Sequence, residues 1–181
     1  PCSALCKVHP EHDRHCPEAK ARLGFAAGGG RGEQLHQTLW STMQSKSQRI
    51  TAKIVPESQR MNAADKHFGI RFPLTVEPMI FQFATQLAPA YAGGYWNFYR
   101  LSNGGFFMAP RPDGAFQVAA DNGFSGTMSA EALGMTASLY AYSNLSFGEG
   151  AFGEKCAEHY HRLYEYMLTH AEAAAIRAAI D

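Results

Sequence analysis

Two groupings of side chains in this sequence have types and spacings that could do chemistry. The first is Cys2, Cys6, His9, His12, His15 and Cys16, spaced C-x3-C-x2-H-x2-H-x2-H-C. Thiolates and imidazoles are the ordinary protein ligands of zinc, and six of them within 15 residues would be enough for a tetrahedral site. The run lacks the separated pair-plus-pair layout of a zinc finger and has little apolar sequence to organise it, so a polar disordered segment is the favoured reading. The second grouping is Cys156, His159 and His161. A cysteine beside a histidine is the pattern of an activated thiol nucleophile. On a helix, however, positions i and i+3 share a face while i+5 does not, and no third residue stands ready to orient the base. These three are expected to be helix residues of the core and surface.

Other catalytic signatures are missing. No Walker loop, no H-E-x-x-H and no G-x-S-x-G occurs. Gly28-Gly29-Gly30-Arg31-Gly32 is not followed by Lys-Ser/Thr, which leaves it a flexible break rather than a phosphate cradle. The chain is therefore expected not to be an enzyme and to carry no cofactor.

The elements that would position any site can be read in order. Ile50–Ile54 alternates as a short strand and ends at Pro56. Glu57–Phe68 is predicted helical, with Pro56 at its start and Gly69 as its stop. Thr75 is the expected N-cap of a helix whose apolar stripe is Val76, Met79, Ile80, Phe83, Leu87 and Tyr91. Pro78 is tolerated in its first turn and Glu77 suits the positive end of the helix. Tyr95–Leu101 is a dense run of strand formers, Ser102-Asn103-Gly104-Gly105 is a hairpin turn, and Phe106, Phe107 and Met108 start a return strand that Ala109-Pro110 stops. Alternation puts Trp96, Phe98 and Arg100 on one strand face and Tyr95, Asn97, Tyr99 and Leu101 on the other. Arg111-Pro112-Asp113-Gly114 signals a turn into Ala115–Ala120 as a third meander strand, and Asn122-Gly123 is another turn. Ser129 caps a helix running to about Phe147. Gly148–Gly153 reads as a loop, Glu154–Thr169 as a helix, and Glu172–Ile180 as a final Ala-rich helix. The order β-α-α-βββ-α-α-α predicts an α+β fold, an antiparallel β-meander packed with several α-helices in a single compact domain.

One stretch carries more than secondary structure. Tyr91-x-Gly93-Gly94-Tyr95-Trp96-x-Phe98-Tyr99-x-Leu101-Ser102-Asn103-Gly104-Gly105-Phe106 resembles the central signature of the KlcA/ArdB antirestriction proteins of plasmids and other mobile elements. Arg71-Phe72 and Glu77 extend the resemblance upstream, Asn122-Gly123-Phe124-Ser125-Gly126 extends it downstream, and Glu172 to Asp181 resembles the family's ending. It covers roughly residues 45–181. The resemblance implies a non-enzymatic inhibitor that protects incoming DNA from type I restriction endonucleases, with the multisubunit restriction-modification complex as its direct or indirect target. It also raises Arg60, Glu77, Trp96 and Asp181 as activity or partner-binding candidates. Each has a plain structural role as well: a solvated helix charge, a first-turn carboxylate, a core aromatic and a terminal residue.

Charge constrains how such a protein could work. The chain holds 16 basic and 16 acidic residues, and from Met43 onward 11 and 12. Nucleic-acid binders draw affinity from a basic excess, because phosphate neutralisation drives association. A mimic of DNA should be strongly acidic. This chain is neither, so no strong nucleic-acid binding is expected, and interference should run through protein contacts or an indirect effect. Two rivals remain open at this point. One is a small-molecule-binding or catalytic domain with an aromatic pocket around Trp96, Phe98 and Tyr99. The other is a nucleic-acid binder whose aromatics stack bases.

The 181 residues, 46% hydrophobic and 18% charged, suffice for one domain with its own core. No apolar run approaches the roughly 20 residues of a membrane helix and no secretory leader is seen, so a cytoplasmic protein without membrane contact is expected. Residues 1–42 differ in character from the rest and are expected to be a disordered or non-native extension, with the antirestriction-type domain spanning 43–181.

Overall fold

The structure is a computed structural model that describes residues 49–111 and 114–181. The Cys- and His-rich run and the junction at Met43 lie outside the described residues.

Helix α3 (Ala130–Ser146) is the element around which the others pack. Its sequence carries no polar face, and eleven of its 17 residues are buried, as a helix enclosed on all sides requires. Ser129 caps it as expected: the Ser129 Oγ accepts from the Ala132 N–H at 3.2 Å. The same hydroxyl donates to Glu172, whose other carboxylate oxygen accepts the Ser129 N–H at 2.9 Å. That carboxylate fixes the start of α5 (Ala173–Ile180) against the start of α3. The buried Thr136 hydroxyl donates to the Ala132 carbonyl at 2.8 Å, so its burial leaves no orphaned donor. Gly134 lets α3 meet strand β3 (Phe106–Arg111) with no side chain between: a Cβ there would sit 2.2 Å from the Met108 carbonyl oxygen. Tyr142, fully buried, donates to the Phe106 carbonyl at 2.8 Å and completes the seam.

The strands do not form the expected three-stranded meander. β1 (Ala52–Ile54), β2 (Tyr95–Leu101) and β3 make one antiparallel sheet in the order β1-β2-β3, while β4 (Ala115–Ala119) pairs only with β5 (Ser125–Ser129). Strand β5 went unread because Ser-Gly-Thr-Met-Ser offers one large apolar residue and a glycine, a poor strand signal. Once it exists, the tight turn at Asn122-Gly123 makes it the nearer partner for β4. The return strand also continues through Ala109-Pro110, with Pro110 opposite Trp96. A proline is tolerated there because β3 is an edge strand with no ladder to supply on its outer side.

Both Asn-Gly turns form, with Gly104 at φ +84° and Gly123 at φ +93°. In each, the asparagine does two things. Asn103 Oδ1 accepts the Gly105 N–H while its amide donates to the Arg162 carbonyl at 2.9 Å; Asn122 Oδ1 accepts the Phe124 N–H while its amide donates to the Ala178 carbonyl at 2.9 Å. The hairpin tips are thereby attached to α4 (Gly150–Met167) and α5. Helix α4 starts earlier than expected, at Gly150, inside the segment read as a loop.

Helix α1 (Arg60–Phe68) follows a single 3-10 turn at Glu57–Gln59 and stops at Gly69, φ +58°. Helix α2 (Glu77–Leu87) is not capped by Thr75. A π-type turn, Phe72–Val76, runs straight into it, and the Glu77 N–H reaches back to the Phe72 carbonyl. Pro73 and Pro78 remove two donors from this stretch, which accounts for the widened turn. Among the described residues no helix is long and apolar enough to cross a membrane.

Candidate functional site

The N-terminal ends of α1 and α2 converge on the first half of β2. Between them lies a groove of about 410 Å³ bordered by Glu57, Arg60, Glu77, Phe81, Tyr95 and Trp96, with Met61, Gly94 and Phe98 also in its wall. Three of the four residues singled out from the sequence, Arg60, Glu77 and Trp96, therefore share one site. Asp181 does not line it. It is an exposed residue at the end of α5, its N–H donating to the Arg177 carbonyl at 3.0 Å.

Arg60 organises the groove. Its guanidinium carbon lies 4.3 Å from the ring centroid of Tyr95 and 4.3 Å from that of Phe98, so a cation sits against two aromatic rings. One terminal nitrogen donates to the Trp96 carbonyl, while the buried Nε–H has no acceptor among the described residues. A buried guanidinium donor without a partner is costly, and the two ring contacts and the hydrogen bond to the Trp96 carbonyl hold the side chain in place against that cost. Strand alternation alone put Tyr95 and Phe98 on opposite faces; at the first residue of β2 the Tyr95 ring nevertheless reaches the cation. Its hydroxyl donates to Glu57, and that hydrogen bond is the main reason the phenol's pKa is raised.

Glu77 is half-buried in the first turn of α2. Burial raises its carboxyl pKa from the ordinary value, and the positive charge of Arg60 acts in the opposite sense. The two make no direct ion pair; among the described residues the ion pair is Arg162 with Glu158, at 2.6 Å. Glu77 thus presents a partly desolvated carboxylate without a counter-ion bound to it.

Trp96 is 2% exposed. Its indole N–H donates to the Tyr91 hydroxyl, and its ring packs edge-on against Phe81 at 5.1 Å and Tyr91 at 5.8 Å. It is the floor of the groove and part of the core rather than an exposed anchor. Of the aromatic pocket envisaged around Trp96, Phe98 and Tyr99, Trp96 and Phe98 line this groove and Tyr99 does not. Phe98 is covered by Arg60 and Phe72, and Tyr99 lies on the other strand face, stacked on Phe107 at 4.5 Å.

Reading the sequence missed Glu57, Phe81 and Tyr95 as members of this site. A signal for Phe81 was present: it stands four residues after Glu77 and so shares its helix face. Glu57 and Tyr95 meet only through tertiary structure.

Of the Cys156 grouping, two members lie in the core. Cys156 is buried and burial pushes its thiol up to about 11, which keeps it protonated and non-nucleophilic. His159 is buried, with no partner for its Nδ1 among the described residues, and burial lowers it to about 3, whereas His161 faces solvent. Among the described residues no three His, Cys, Asp or Glu side chains come together as a metal site.

The family model for antirestriction proteins matches residues 89–181. An antirestriction protein KlcA of Escherichia coli is 41% identical over 138 residues, which is 73% of this chain and 94% of that protein. The chain belongs to the KlcA/ArdB antirestriction family. A second Escherichia coli KlcA is 36% identical over 77% of this chain and its whole length. Among solved structures, one from work on KlcA and ArdB superposes with a TM-score of 0.70 at 36% identity, covering 77% of this chain and all of that one. Those proteins are described as having a novel fold, with antirestriction activity against type I DNA restriction systems in vivo but not in vitro. That solved chain superposes on the α+β architecture seen here, and the signature around Tyr95–Phe106 lies within the residues the family model matches.

Proposed function

We propose that this protein protects incoming plasmid or mobile-element DNA by lowering the activity of type I restriction endonucleases in the cytoplasm, acting as a non-enzymatic inhibitor. The observation that carries this reading is the match in sequence and fold to proteins with that activity in cells. The geometry bears on the mechanism. The groove at Arg60 and Glu77 holds charges of both signs and no nucleophile–base pair, and the chain's charge is balanced. That arrangement suits contact with a protein surface, not occupation of a DNA channel. Activity of the relatives in vivo but not in vitro supports interference that needs a component of the living cell. Arg60 and Glu77, the opposite charges that border the groove, are the residues proposed to meet the partner, while Trp96 supports them from beneath and Asp181 has no place in this groove.

The test is plating of unmodified phage on hosts carrying type I systems, with and without expression of this chain. Restored plating is expected, with no inhibition when the purified protein is added to a purified endonuclease. Unchanged plating on several such hosts at good expression would overturn the reading, and strong inhibition in the purified assay would overturn the requirement for a cellular component.

A further inference from the structure

A second groove, of about 360 Å³, lies at the other end of α1, and its chemistry differs. Lys53 of β1 and Arg100 of β2 stand directly opposite one another in the antiparallel ladder. Like charges at that position destabilise a sheet, and the folding of this domain gains nothing from them. Lys66 and His67, from the last turn of α1, line the same groove, together with Thr51 and Ser102. No Asp or Glu lines it, and neither Lys53, Lys66 nor Arg100 makes an ion pair among the described residues. Lys66 alone could be explained by the negative end of the helix. The cross-strand pair has no such explanation. In a chain of zero net charge, three cations converge on one concavity with no acidic side chain in its wall.

We propose that this groove binds the phosphoryl group of a small phosphorylated ligand. A dianion matches the local excess of positive charge, and the Arg100 guanidinium with two ammonium groups provides the donor types that bind phosphate. The volume falls in the range of small-ligand sites, roughly 300–1,000 Å³. A nucleic-acid strand fits less well: no Phe, Tyr or Trp lines the groove for a base to stack on. The field there is positive by a second indication. His67 is lowered to about 4 by burial and then by Lys66, Lys155, Arg100 and Arg162, with no carboxylate opposing them. The ring of His159 packs edge-on against His67 at 5.0 Å and is likewise held neutral, and the nearby Glu158 is taken up by Arg162. The inference is independent of the antirestriction reading.

The experiment is an amide NMR titration of the full chain with inorganic phosphate, ribose 5-phosphate and a short single-stranded oligonucleotide. It is run on wild type, Lys53→Gln and Arg100→Gln. Both replaced side chains are exposed, and urea unfolding checks that each variant keeps the wild-type fold. Saturable shifts at Ser102, Gly104 and Gly105 with phosphate or the sugar phosphate are expected, weakened at least about tenfold in each variant and by added salt. Absence of saturable shifts with either small probe, or equal affinity in the folded variants, would overturn the site. Tighter binding of the oligonucleotide, lost in the same variants, would overturn the small-ligand assignment in favour of a nucleic-acid one.

Discussion

Replacing Glu77 by Gln separates a contact residue from a structural one. The amide keeps the shape and removes the charge. Since burial already disfavours the carboxylate and Arg60 only partly offsets this, the folded protein does not depend on that charge. The sign is worked through linkage: with its carboxyl raised in the folded state, Glu77 binds more protons folded than unfolded, so its contribution to stability declines as pH rises from its unfolded value through its folded one. At neutral pH the Gln variant should therefore unfold within about 0.5 kcal/mol of wild type, or slightly above it. If the carboxylate meets a cationic group of a partner, removing it costs roughly 2 kcal/mol or more of interaction, about thirtyfold in occupancy. The assays are urea unfolding of the purified protein and phage plating on a type I restricting host at matched expression. Wild-type stability with protection reduced at least about tenfold is the expected result. Full protection by a stable Gln variant would refute the argument, as would a loss of more than about 1 kcal/mol of stability, which would make Glu77 a structural residue after all.

Arg60→Ala removes a hydrogen bond to the Trp96 carbonyl and two ring contacts, and urea unfolding should show a loss of about 2–3 kcal/mol; Arg60→Lys, which keeps the charge without the flat fork, should recover less than half of it. Between about pH 6.5 and pH 3 the unfolded chain takes up protons that His159 and His67 do not take up in the fold, so stability should fall with acid across that window. His159→Leu should flatten the fall in stability measured by urea unfolding against pH. Gly134→Ala forces a methyl to 2.2 Å from the Met108 carbonyl oxygen and 2.5 Å from the Ala109 Cα, where backbone cannot yield cheaply; a loss of about 3 kcal/mol or failure to fold is expected by circular dichroism.

Much of the fold was legible wherever local chemistry decided it. The Ser129 cap, the glycine stop at Gly69 and both Asn-Gly turns form as their residue types require. Strand pairing was not legible, since β4 chooses between β3 and β5 by tertiary economy and β5 has almost no pattern of its own. The start of α2 was misread because two prolines reshape the turn in a way that no capping residue announces. Of the site, the resemblance brought forward Arg60, Glu77 and Trp96, but their meeting depends on the ends of two helices docking on one strand. The burial of Trp96 was undecidable from alternation, which left aromatics on both faces of β2.

Net charge gave a sound average and concealed its distribution. A balance of 16 against 16 argues against a DNA mimic and against a basic DNA shield, yet the structure does not spread that balance evenly. Along the single helix α1, the Arg60 end faces a groove with Glu57 and Glu77, whereas the Lys66 end faces one with Lys53 and Arg100 and no acid. The two grooves should therefore answer differently to salt. Binding at the mixed groove, where attraction and repulsion partly cancel, should change little between low and physiological ionic strength. Binding at the cationic groove should weaken steeply, because every pairwise term there has the same sign and is screened together.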